Sequence, residues 1–402
     1  MRQDQLRVAL FSGNYNYQRD GANQALNRLV GYLERQGVAV RVYSPTSDTP
    51  AFPPTGTLIS TPSVKIPGRG DYRFAYAMDR ATRLDLEAFA PNLIHLSVPD
   101  RLAFHAKRWG KAHGVPVVAS VHTRFDTYLG YYGLQWVNKI LGDVMRNLYR
   151  DLPEIYAPSE SMAEQLRVDG MHDNVRIWSR GVDSHIFKPS RRSRDWRRSL
   201  GIGDAERVIA FVGRLVMEKG LDVFADTVAQ LTRDGVPHRV LIVGEGLARG
   251  WAETNIPGAI FAGHLADADL ARAYASADML FNPSTTETFG NVTLEAMACG
   301  LPVVGARATG TSSLVHHGLS GQLVPPGDIA GYAAALTTYL TDDRAAASAG
   351  EAGLALSRRY SWDEINQGLL DRYAALAAAP ALMPVSVFQP VIDRVVTALR
   401  AA

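Results

Sequence analysis

The chain has 402 residues, which is enough for two or three domains of about 150 residues, each with its own core. Its net charge is only +2, from 42 Lys and Arg against 40 Asp and Glu, and this argues against an extended nucleic-acid interface. Cys299 is the single cysteine, so an internal disulfide and a cysteine-based zinc site are excluded, which fits a reducing compartment.

Basic residues are slightly concentrated in the first half of the chain. Residues 1–188 contain 23 Lys and Arg against 18 Asp and Glu, a balance of +5, and residues 189–402 contain 19 against 22, a balance of −3. A basic first half would suit an anionic membrane surface or an acidic acceptor, although ordinary solvated arginines are favoured by this count alone. No signal peptide and no apolar run of about 18 residues is visible, so we expect a cytoplasmic protein.

The first elements predict a Rossmann-like α/β sheet. Residues 7–11 form a short apolar run, a helical pattern follows until Gly37, and residues 38–43 read as a second strand. The loop GNYNYQRDGANQ between the first strand and the helix contains no G-x-G-x-x-G fingerprint, so dinucleotide binding has no support there. Gly21, which follows Asp20, could let a ligand approach the backbone, and a flexible turn glycine is an equally good interpretation.

Two further buried strands are predicted at residues 93–97 and 115–121. The second is followed directly by His122 and Arg124. Because ligands of open α/β sheets bind outside the carboxyl ends of the strands, these two side chains are placed where an acceptor or a sugar would lie. A lone histidine is more often structural, but one at a strand end beside polar residues favours a site residue.

Residues 136–150 (WVNKILGDVMRNLYR) form an amphipathic helical pattern. Its apolar face suits packing against the core, and its basic flank would also suit peripheral contact with a membrane. We favour core packing.

Residues 189–205 read as a connection between domains, because the segment beginning SRRSRDWRRS is charged and poor in apolar residues. A second strand series begins at Val208. We therefore expect an N-terminal Rossmann-like domain at 1–188, a linker at 189–205, a C-terminal Rossmann-like domain at 206–360 and C-terminal helices at 361–402. Arg214 and Lys219 flank the first strand-to-helix turn of the second series and could hold a diphosphate, although a solvated loop would be favoured if this turn stood alone.

Two shorter motifs of the second half resemble known binding motifs only in part. Asp267-Ala268-Asp269 matches the D-x-D pattern of many metal-dependent sugar transferases, but a carboxylate at a helix N-cap accounts for it well, and we expect no metal there. The run Val243-Gly244-Glu245-Gly246, with Gly250, has the wrong spacing for the dinucleotide fingerprint, which disfavours an NAD-dependent enzyme.

Residues 281–304 (FNPSTTETFGNVTLEAMACGLPVV) are the most informative stretch. They read as a strand end, a polar loop, a helix that opens near Phe289-Gly290, and a Gly-Leu-Pro turn into the next strand. Glu287 in the loop and Glu295 on the helix can line one wall of a cleft. The backbone amides of residues 288–291 form a helix N-terminus, which favours negative charge. A phosphate seat flanked by acceptors for hydroxyl groups indicates a nucleotide-sugar.

These motifs resemble those of the family 4 retaining glycosyltransferases, and the likeness covers nearly the whole chain. FVGRLVMEKGLDVF is similar to their phosphate-binding loop, ETFGNVTLEAMACGLPVV to their paired-glutamate motif, and GHLADADLARAYASADMLFNPS to the approach to it. The first half is most similar to lipid glycosyltransferases of the diacylglycerol group (α-mannosyl, sulfoquinovosyl and glucuronosyl). That likeness rests on IHLSVPDRLAFHAKRWGKAHGVPVVASVHTRFDTYLGYYGLQW and VRIWSRGVDSHIFKP.

The resemblance implies a GT-B fold, in which two Rossmann-like domains face each other across a cleft and the C-terminal helix returns to the N-terminal domain. It implies that Arg214 and Lys219 hold the diphosphate, that Glu295 holds the ribose hydroxyls, and that Glu287 holds the hydroxyls of the transferred sugar. The backbone of Phe289, Gly290 and Asn291 would surround that sugar, with His122 near its anomeric carbon. Gly21 would be the glycine of the first loop, and Arg124 and Tyr128 would contact the acceptor. The first loop departs from the family pattern, because Asp20-Gly21 stands where many members have Gly-Gly or Asn-Gly.

We therefore expect a retaining hexosyltransferase that needs neither a metal nor a cofactor, with His122, Glu287, Arg214 and Lys219 as its catalytic residues. The donor would be GDP-mannose, a UDP-hexose or UDP-glucuronate. The acceptor would be a lipid such as a diacylglycerol glycolipid, which would place the protein at the inner face of the cytoplasmic membrane in peripheral contact with anionic lipids. Two alternatives stay open: the same chemistry on a soluble or polysaccharide acceptor, and a non-catalytic protein that binds nucleotide-sugars.

Overall fold

A computed structural model describes residues 3–17, 20–66, 69–122 and 135–379 of the chain. The predicted acceptor residues Arg124 and Tyr128 lie outside the described residues.

The first sheet has seven strands in the order β3-β2-β1-β6-β7-β8-β9, and β1 pairs in parallel with both β2 and β6. Two further strands, β4 and β5, pair with each other as an antiparallel hairpin. The strands of this half are β1 (Arg7–Phe11), β2 (Ala39–Ser44), β3 (Thr57–Ser60), β4 (Ser63–Ile66), β5 (Arg69–Ala75), β6 (Leu93–Leu96), β7 (Val117–Ser120), β8 (Ile155–Ala157) and β9 (Val175–Ile177).

Side-chain caps set the beginnings of several helices in this half. Asp20 accepts a hydrogen bond from the Asn23 amide at 2.8 Å, and Ser159 accepts one from the Met162 amide at 3.3 Å, so each satisfies a donor that a helix N-terminus leaves unpaired. The helices are α1 (Gly21–Arg35), α2 (Arg80–Phe89), α3 (Arg101–His113), α4 (Gln135–Tyr149) and α5 (Glu160–Val168).

The second sheet has six strands in the order β12-β11-β10-β13-β14-β15, and all of its neighbouring strands are parallel. Its strands are β10 (Val208–Val212), β11 (Arg239–Val243), β12 (Ile260–Gly263), β13 (Met279–Asn282), β14 (Val303–Ala306) and β15 (Gly321–Val324). The helices of this half are α6 (Arg194–Ser199), α7 (Leu221–Arg233), α8 (Arg249–Asn255), α9 (Asp267–Ser276), α10 (Asn291–Ala298), α11 (Thr309–Leu314), α12 (Ile329–Thr341), α13 (Asp343–Ser357) and α14 (Trp362–Ala378).

The second sheet is buried on both faces, which explains why its strands read as unbroken apolar runs. Alternate residues of β10 enter two different core clusters: Phe211 packs with Phe224 of α7, and Ala210 belongs to the cluster that contains Leu294 of α10. The two Rossmann-like sheets predicted from the sequence are therefore confirmed.

The described chain forms two compact units. The first comprises the described parts of Met1–Ser120, Asn147–Ile155 and Leu370–Ala402, and the second comprises those of Val121–Arg146 and Tyr156–Leu369. Helix α14 contributes to both, because the division falls within it. The domain boundaries predicted at 188, 205 and 360 stay a prediction.

The second half of α14 is anchored in the first unit by two polar contacts. The Tyr373 hydroxyl is hydrogen-bonded to Nδ1 of His95 on β6, and Arg372 lies 2.6 Å from Oε2 of the buried Glu154. Burial lowers the pKa of His95 to about 3, so its imidazole stays neutral. The expected return of the C-terminal helix to the N-terminal sheet is thus confirmed.

The described side chains of helix α4 are consistent with packing against the core. Met145 and Leu148 are buried, and Val144 is half-buried. Among the described helices, none combines the length and the apolar composition needed to cross a bilayer.

Candidate active site

Lys219 and Glu287 meet where the strand order of the second sheet reverses. Lys219 follows β10 and Glu287 follows β13, and these two strands are neighbours in the sheet although β11 and β12 lie between them in the chain. The Nζ atom of Lys219 lies 2.7 Å from Oε1 of Glu287, and the two side chains are 22% and 16% exposed. Ligands of doubly wound sheets bind outside the carboxyl ends of the strands at such a switch point. The pair therefore marks a candidate binding site.

The loop that carries Glu287 is held by its backbone. The Glu287 carbonyl accepts hydrogen bonds from the Gly310 amide and the Thr309 hydroxyl, both at 2.7 Å. The next carbonyl, of Thr288, accepts one from the Ser159 hydroxyl at 2.7 Å. These contacts come from the starts of α11 and α5, so the loop conformation depends on two other parts of the second unit.

Glycine is required where Glu287's loop meets α11. A Cβ atom on Gly310 would lie 2.5 Å from the carbonyl oxygen of Phe289, which is closer than real Cβ contacts. The close approach lets the Gly310 amide reach the Glu287 carbonyl.

Helix α10 begins beside this loop and leaves its first amides available. Gly290 occupies the N-cap position with φ of 96°, a left-handed conformation that favours glycine, and no side chain caps the helix. Within the described residues, the amides of Phe289, Gly290 and Asn291 donate no hydrogen bond. Unpaired amides and the helix dipole together favour an anion at this position.

Glu295 lies in the second turn of α10 and is oriented by Tyr274 of α9. The Tyr274 hydroxyl donates a hydrogen bond to Oε2 of Glu295 at 3.0 Å. Burial, and then the charge of Glu295, raise the pKa of Tyr274 well above its ordinary value, so the hydroxyl remains a donor. Burial and the same carboxylate raise the pKa of the Cys299 thiol to about 12, which leaves it unreactive.

Arg214 belongs to the tight loop that follows β10. The loop packs closely on the one that follows β11, since the Leu215 amide donates to the Glu245 carbonyl at 3.0 Å. A Cβ atom on Gly244 would lie 1.9 Å from the Gly213 carbonyl oxygen. Arg214 itself is exposed, and its guanidinium makes no salt bridge or hydrogen bond with the described residues. It is an available cation on the loop that also carries Lys219.

His122 contacts a residue that sequence reasoning missed. Its Nδ1 atom lies 2.6 Å from Nη2 of Arg180, which is only 4% exposed. Both residues pack on Trp178: the His122 ring lies edge-on to the indole at 5.7 Å, and the guanidinium carbon of Arg180 lies 5.0 Å from the centre of the ring. Arg180 is part of VRIWSRGVDSHIFKP, which carried the subgroup resemblance but no assigned role.

Four features predicted for the donor site lie together in the second unit: Lys219, Glu287, the amides at the start of α10, and Glu295. His122 belongs to the same unit. Gly21 belongs to the first unit, where it is the first residue of α1 behind the Asp20 cap. Its predicted contact with a donor stays a prediction.

The interpretation that the Asp267-Ala268-Asp269 motif supplies an N-cap carboxylate is wrong. Ala266 occupies the N-cap position of α9 with an extended backbone, and no side chain caps that helix. Asp267 and Asp269 lie in the first turn, where the helix dipole favours carboxylates, and Asp269 pairs with Arg272 at 2.9 Å. No group of three or more His, Cys, Asp or Glu side chains in the described part of the chain is arranged to hold a metal.

Comparison with known proteins identifies the family. A profile described as Glycosyltransferase Family 4 matches residues 19–185, and one described as Glycosyl transferases group 1 matches residues 206–342. Sulfoquinovosyl transferase SQD2 of Arabidopsis thaliana is 31% identical over 85% of this chain and 68% of its own length. A GDP-mannose-dependent alpha-mannosyltransferase of Mycolicibacterium smegmatis is 30% identical over 94% of this chain and 99% of its own length.

Solved structures show the fold. The sucrose-phosphate synthase of Thermosynechococcus elongatus superposes with a TM-score of 0.76 at 20% identity, covering 94% of this chain and 100% of that one. The chain therefore belongs to glycosyltransferase family 4 and is a glycosyltransferase with the GT-B fold.

Proposed function

We propose that this enzyme transfers a hexosyl group from a nucleoside-diphosphate sugar to a lipid acceptor, with retention at the anomeric carbon and without a metal. The observation that carries the proposal is the contact between Lys219 and Glu287 at the switch point, beside the open N-terminus of α10. One of its relatives is named as a GDP-mannose-dependent alpha-mannosyltransferase, and this supports a nucleoside-diphosphate sugar as the donor here.

The site offers a complementary group for each part of such a donor. An ammonium has three donors, and Glu287 engages one of those of Lys219, so others remain to contact the diphosphate beside Arg214 and the α10 amides. Glu287 would accept from hydroxyls of the sugar, and Glu295 from those of the ribose. The salt bridge thus couples the group that binds the phosphate to the group that binds the sugar.

The same groups explain how the transfer would proceed. When the bond between the anomeric carbon and the diphosphate oxygen breaks, negative charge builds on that oxygen. Lys219, held by Glu287, and the α10 amides are fixed donors that would stabilise this charge, as a preorganised site does, and the exposed Arg214 would add a second cation. The acceptor oxygen forms the new bond on the face that the diphosphate leaves, and its proton passes to the departing phosphate oxygen. Retention follows from attack on that face.

A cationic surface on the first unit supports the membrane part of the proposal. We call the exposed residues Arg83, Arg101, Arg108 and Lys111 of α2 and α3 the cationic face. None of them forms a salt bridge with a described residue, and α3 contains no acidic residue. Burial lowers the pKa of the neighbouring His105, and the charges of Arg108, Arg101 and Arg83 lower it further, so each of these arginines lies near His105.

An anionic lipid surface is the partner that this face fits. Basic residues near such a surface contribute on the order of 1 kcal/mol each. Leu84, which is 54% exposed on α2 beside Arg83, adds an apolar side chain that could enter the headgroup region. The proposed lipid acceptor would be found at the same surface.

A donor panel tests the proposed activity. GDP-mannose, UDP-hexoses and UDP-glucuronate are compared for protection against thermal unfolding, and the protective donors are incubated with lipid extracts and with soluble sugars. We expect a glycolipid product with an α linkage from an α donor, measured by mass spectrometry and NMR, that forms in the presence of a chelator. A protein that binds a donor but transfers nothing would be the non-catalytic alternative, and transfer to soluble sugars alone would exclude the lipid acceptor.

A further inference from the structure

The buried guanidinium of Arg180 determines which hydrogen-bonding form of His122 can exist. A guanidinium has N–H donors and no acceptor, and it does not lose its proton in proteins. Since its Nη2 atom lies 2.6 Å from Nδ1 of His122, that ring nitrogen must be the acceptor and carry no proton. A neutral imidazole with a bare Nδ1 carries its proton on Nε2. An imidazolium, which has protons on both nitrogens, is incompatible with this contact.

Arg180 is itself held by backbone carbonyls and by an aromatic ring. Its Nη1 atom donates to the carbonyls of Trp178 and Ser179 at 3.3 and 3.2 Å, and its guanidinium lies over the Trp178 indole. A fork of planar donors that also stacks on an aromatic ring is specific to arginine, and a lysine ammonium cannot reproduce it. The buried charge is therefore fixed in one defined orientation toward His122.

We infer that Arg180 is a positioning residue that holds His122 as the neutral tautomer protonated on Nε2. His122 then acts on the donor sugar as a hydrogen-bond donor through Nε2, and it neither accepts a proton there nor contributes a positive charge. The inference rests on the proposed function for what His122 contacts. The tautomer itself is independent of that function, because it follows from the contact with Arg180 alone.

The tautomer can be measured directly. In protein labelled with ¹⁵N-histidine, a protonated and an unprotonated ring nitrogen give separate resonances. The resonances that disappear in the His122→Asn variant are those of His122. We expect an unprotonated Nδ1 and a protonated Nε2 at neutral pH in the wild type. A protonated Nδ1 would overturn the inference. The measurement uses the wild-type protein, so it does not depend on whether an Arg180 variant folds or whether sugar is transferred.

Kinetics of a double-mutant cycle show whether Arg180 acts through His122. We expect Arg180→Met to lower kcat by about tenfold or more while the KM for the donor changes less, since a donor aimed at the reacting sugar matters most in the transition state. In the His122→Asn background, Arg180→Met should lower kcat little further, because the effects of mutating residues that act as a unit are not additive. Additive losses would mean that Arg180 only stabilises the fold and would contradict the inference.

Two further variants separate positioning from stability. Arg176→Met removes an exposed arginine of the same segment and should leave kcat and KM unchanged. Arg180→Lys keeps a cation and a donor but not the stacked fork, so we expect a kcat between those of the wild type and Arg180→Met. If Arg180→Met does not fold, the same cycle with Arg180→Lys decides the question.

Discussion

The Nζ atom of Lys219 is 2.7 Å from Oε1 of Glu287, although the two residues are 68 positions apart in the chain. The contact joins the loops that follow β10 and β13, and the Thr286 hydroxyl joins them a second time by donating to the Glu218 carbonyl at 3.2 Å. The cation that we propose for the diphosphate and the carboxylate that we propose for the sugar are therefore already in contact with each other without a donor. Preorganisation of this kind is what lets charged groups stabilise a transition state without reorganising.

Lys219→Met should abolish most of the activity. It removes a cation from the developing negative charge and leaves the Glu287 carboxylate without its partner, so we expect kcat/KM for the donor to fall about 100- to 1,000-fold. Lys219→Arg keeps the charge with a different geometry, so its kcat/KM should fall less. Steady-state kinetics with the donor found in the panel give these values.

Arg233→Met is a suitable control for the Lys219 variants. Arg233 is exposed at the far end of α7, and a helix of 13 residues places that end about 18 Å from its start near the site. The activity of the Arg233→Met variant should match that of the wild type. A Lys219→Met enzyme with wild-type kcat/KM would remove Lys219 from the proposed mechanism.

Tyr274→Phe should weaken donor binding more than it slows the reaction. Without the Tyr274 hydroxyl, the Glu295 carboxylate that we propose for the ribose loses an orienting hydrogen bond, so we expect KM for the donor and Kd for the nucleoside diphosphate to rise about tenfold. The reacting centre is elsewhere, and kcat should change little. The penalty should disappear with a donor whose ribose lacks the 2′- and 3′-hydroxyls, which Glu295 could not hold.

Tyr332→Phe is a matched control for that variant. Tyr332 is fully buried in the same unit, and its hydroxyl has no hydrogen-bond partner among the described residues. Removing the hydroxyl should leave both donor binding and stability unchanged or slightly improved, since an unpaired buried polar group is unfavourable. Equal donor affinities for the two variants would mean that Tyr274 has no particular role at Glu295.

The sequence alone indicates the candidate donor site where its residues follow one another in the chain. Strand, loop and helix are contiguous in residues 281–304, so Glu287, Gly290 and Glu295 were recognised from the local pattern. Tyr274 and Arg180 were not, because their partners are 21 and 58 positions away and only the tertiary packing brings them together. A buried Tyr or Arg has no sequence signature that distinguishes it from an ordinary core or surface residue.

The fold shows the same limit. The buried parallel strands were predicted from their apolar runs, whereas β3, β4, β5 and helices α2 and α3 were not. Burial in β3 is only partial at its central residues, so it lacks the apolar run that marks the other strands. The Asp267-Ala268-Asp269 motif predicts an aspartate at the N-cap of α9, because aspartate prefers that position, and Ala266 occupies it instead. The preference of aspartate for the N-cap position therefore did not predict where this helix begins.

His95 should make stability depend on pH. Its folded pKa is about 3, below the ordinary value of about 6.5, so the unfolded state binds a proton that the folded state does not when pH falls below about 6.5. Stability is therefore lost as pH falls from about 6.5 toward 3. Between pH 7 and pH 5 we expect this group to cost about 2 kcal/mol of the free energy of unfolding.

The difference between wild type and His95→Gln isolates that contribution. Burial raises the pKa of Asp100 to about 7, and a raised carboxyl pKa acts in the opposite direction, so the wild-type slope alone contains both effects. Urea unfolding at pH 7 and pH 5 should show a smaller loss for His95→Gln, while His185→Gln, at an exposed position, keeps the wild-type difference. Identical differences for the wild type and both variants would contradict a neutral, buried His95.

The cationic face should govern binding to anionic vesicles. Replacing Arg101, Arg108 and Lys111 by serine removes three cations, each contributing on the order of 1 kcal/mol, so the affinity for vesicles rich in anionic lipid should fall on the order of 100-fold. Wild-type binding should weaken as salt is added, since screening shortens the range of these charges, and vesicles of neutral lipid should bind neither protein. Co-sedimentation at several salt concentrations measures all three effects.

A triple variant of Arg233, Arg358 and Arg359 to serine changes the net charge equally at exposed positions in the second unit. If the two triple variants bound alike, net charge and not the cationic face would account for the contact. If the wild type ignored anionic vesicles yet transferred sugar to a lipid in detergent, the surface would be excluded while the chemistry stood.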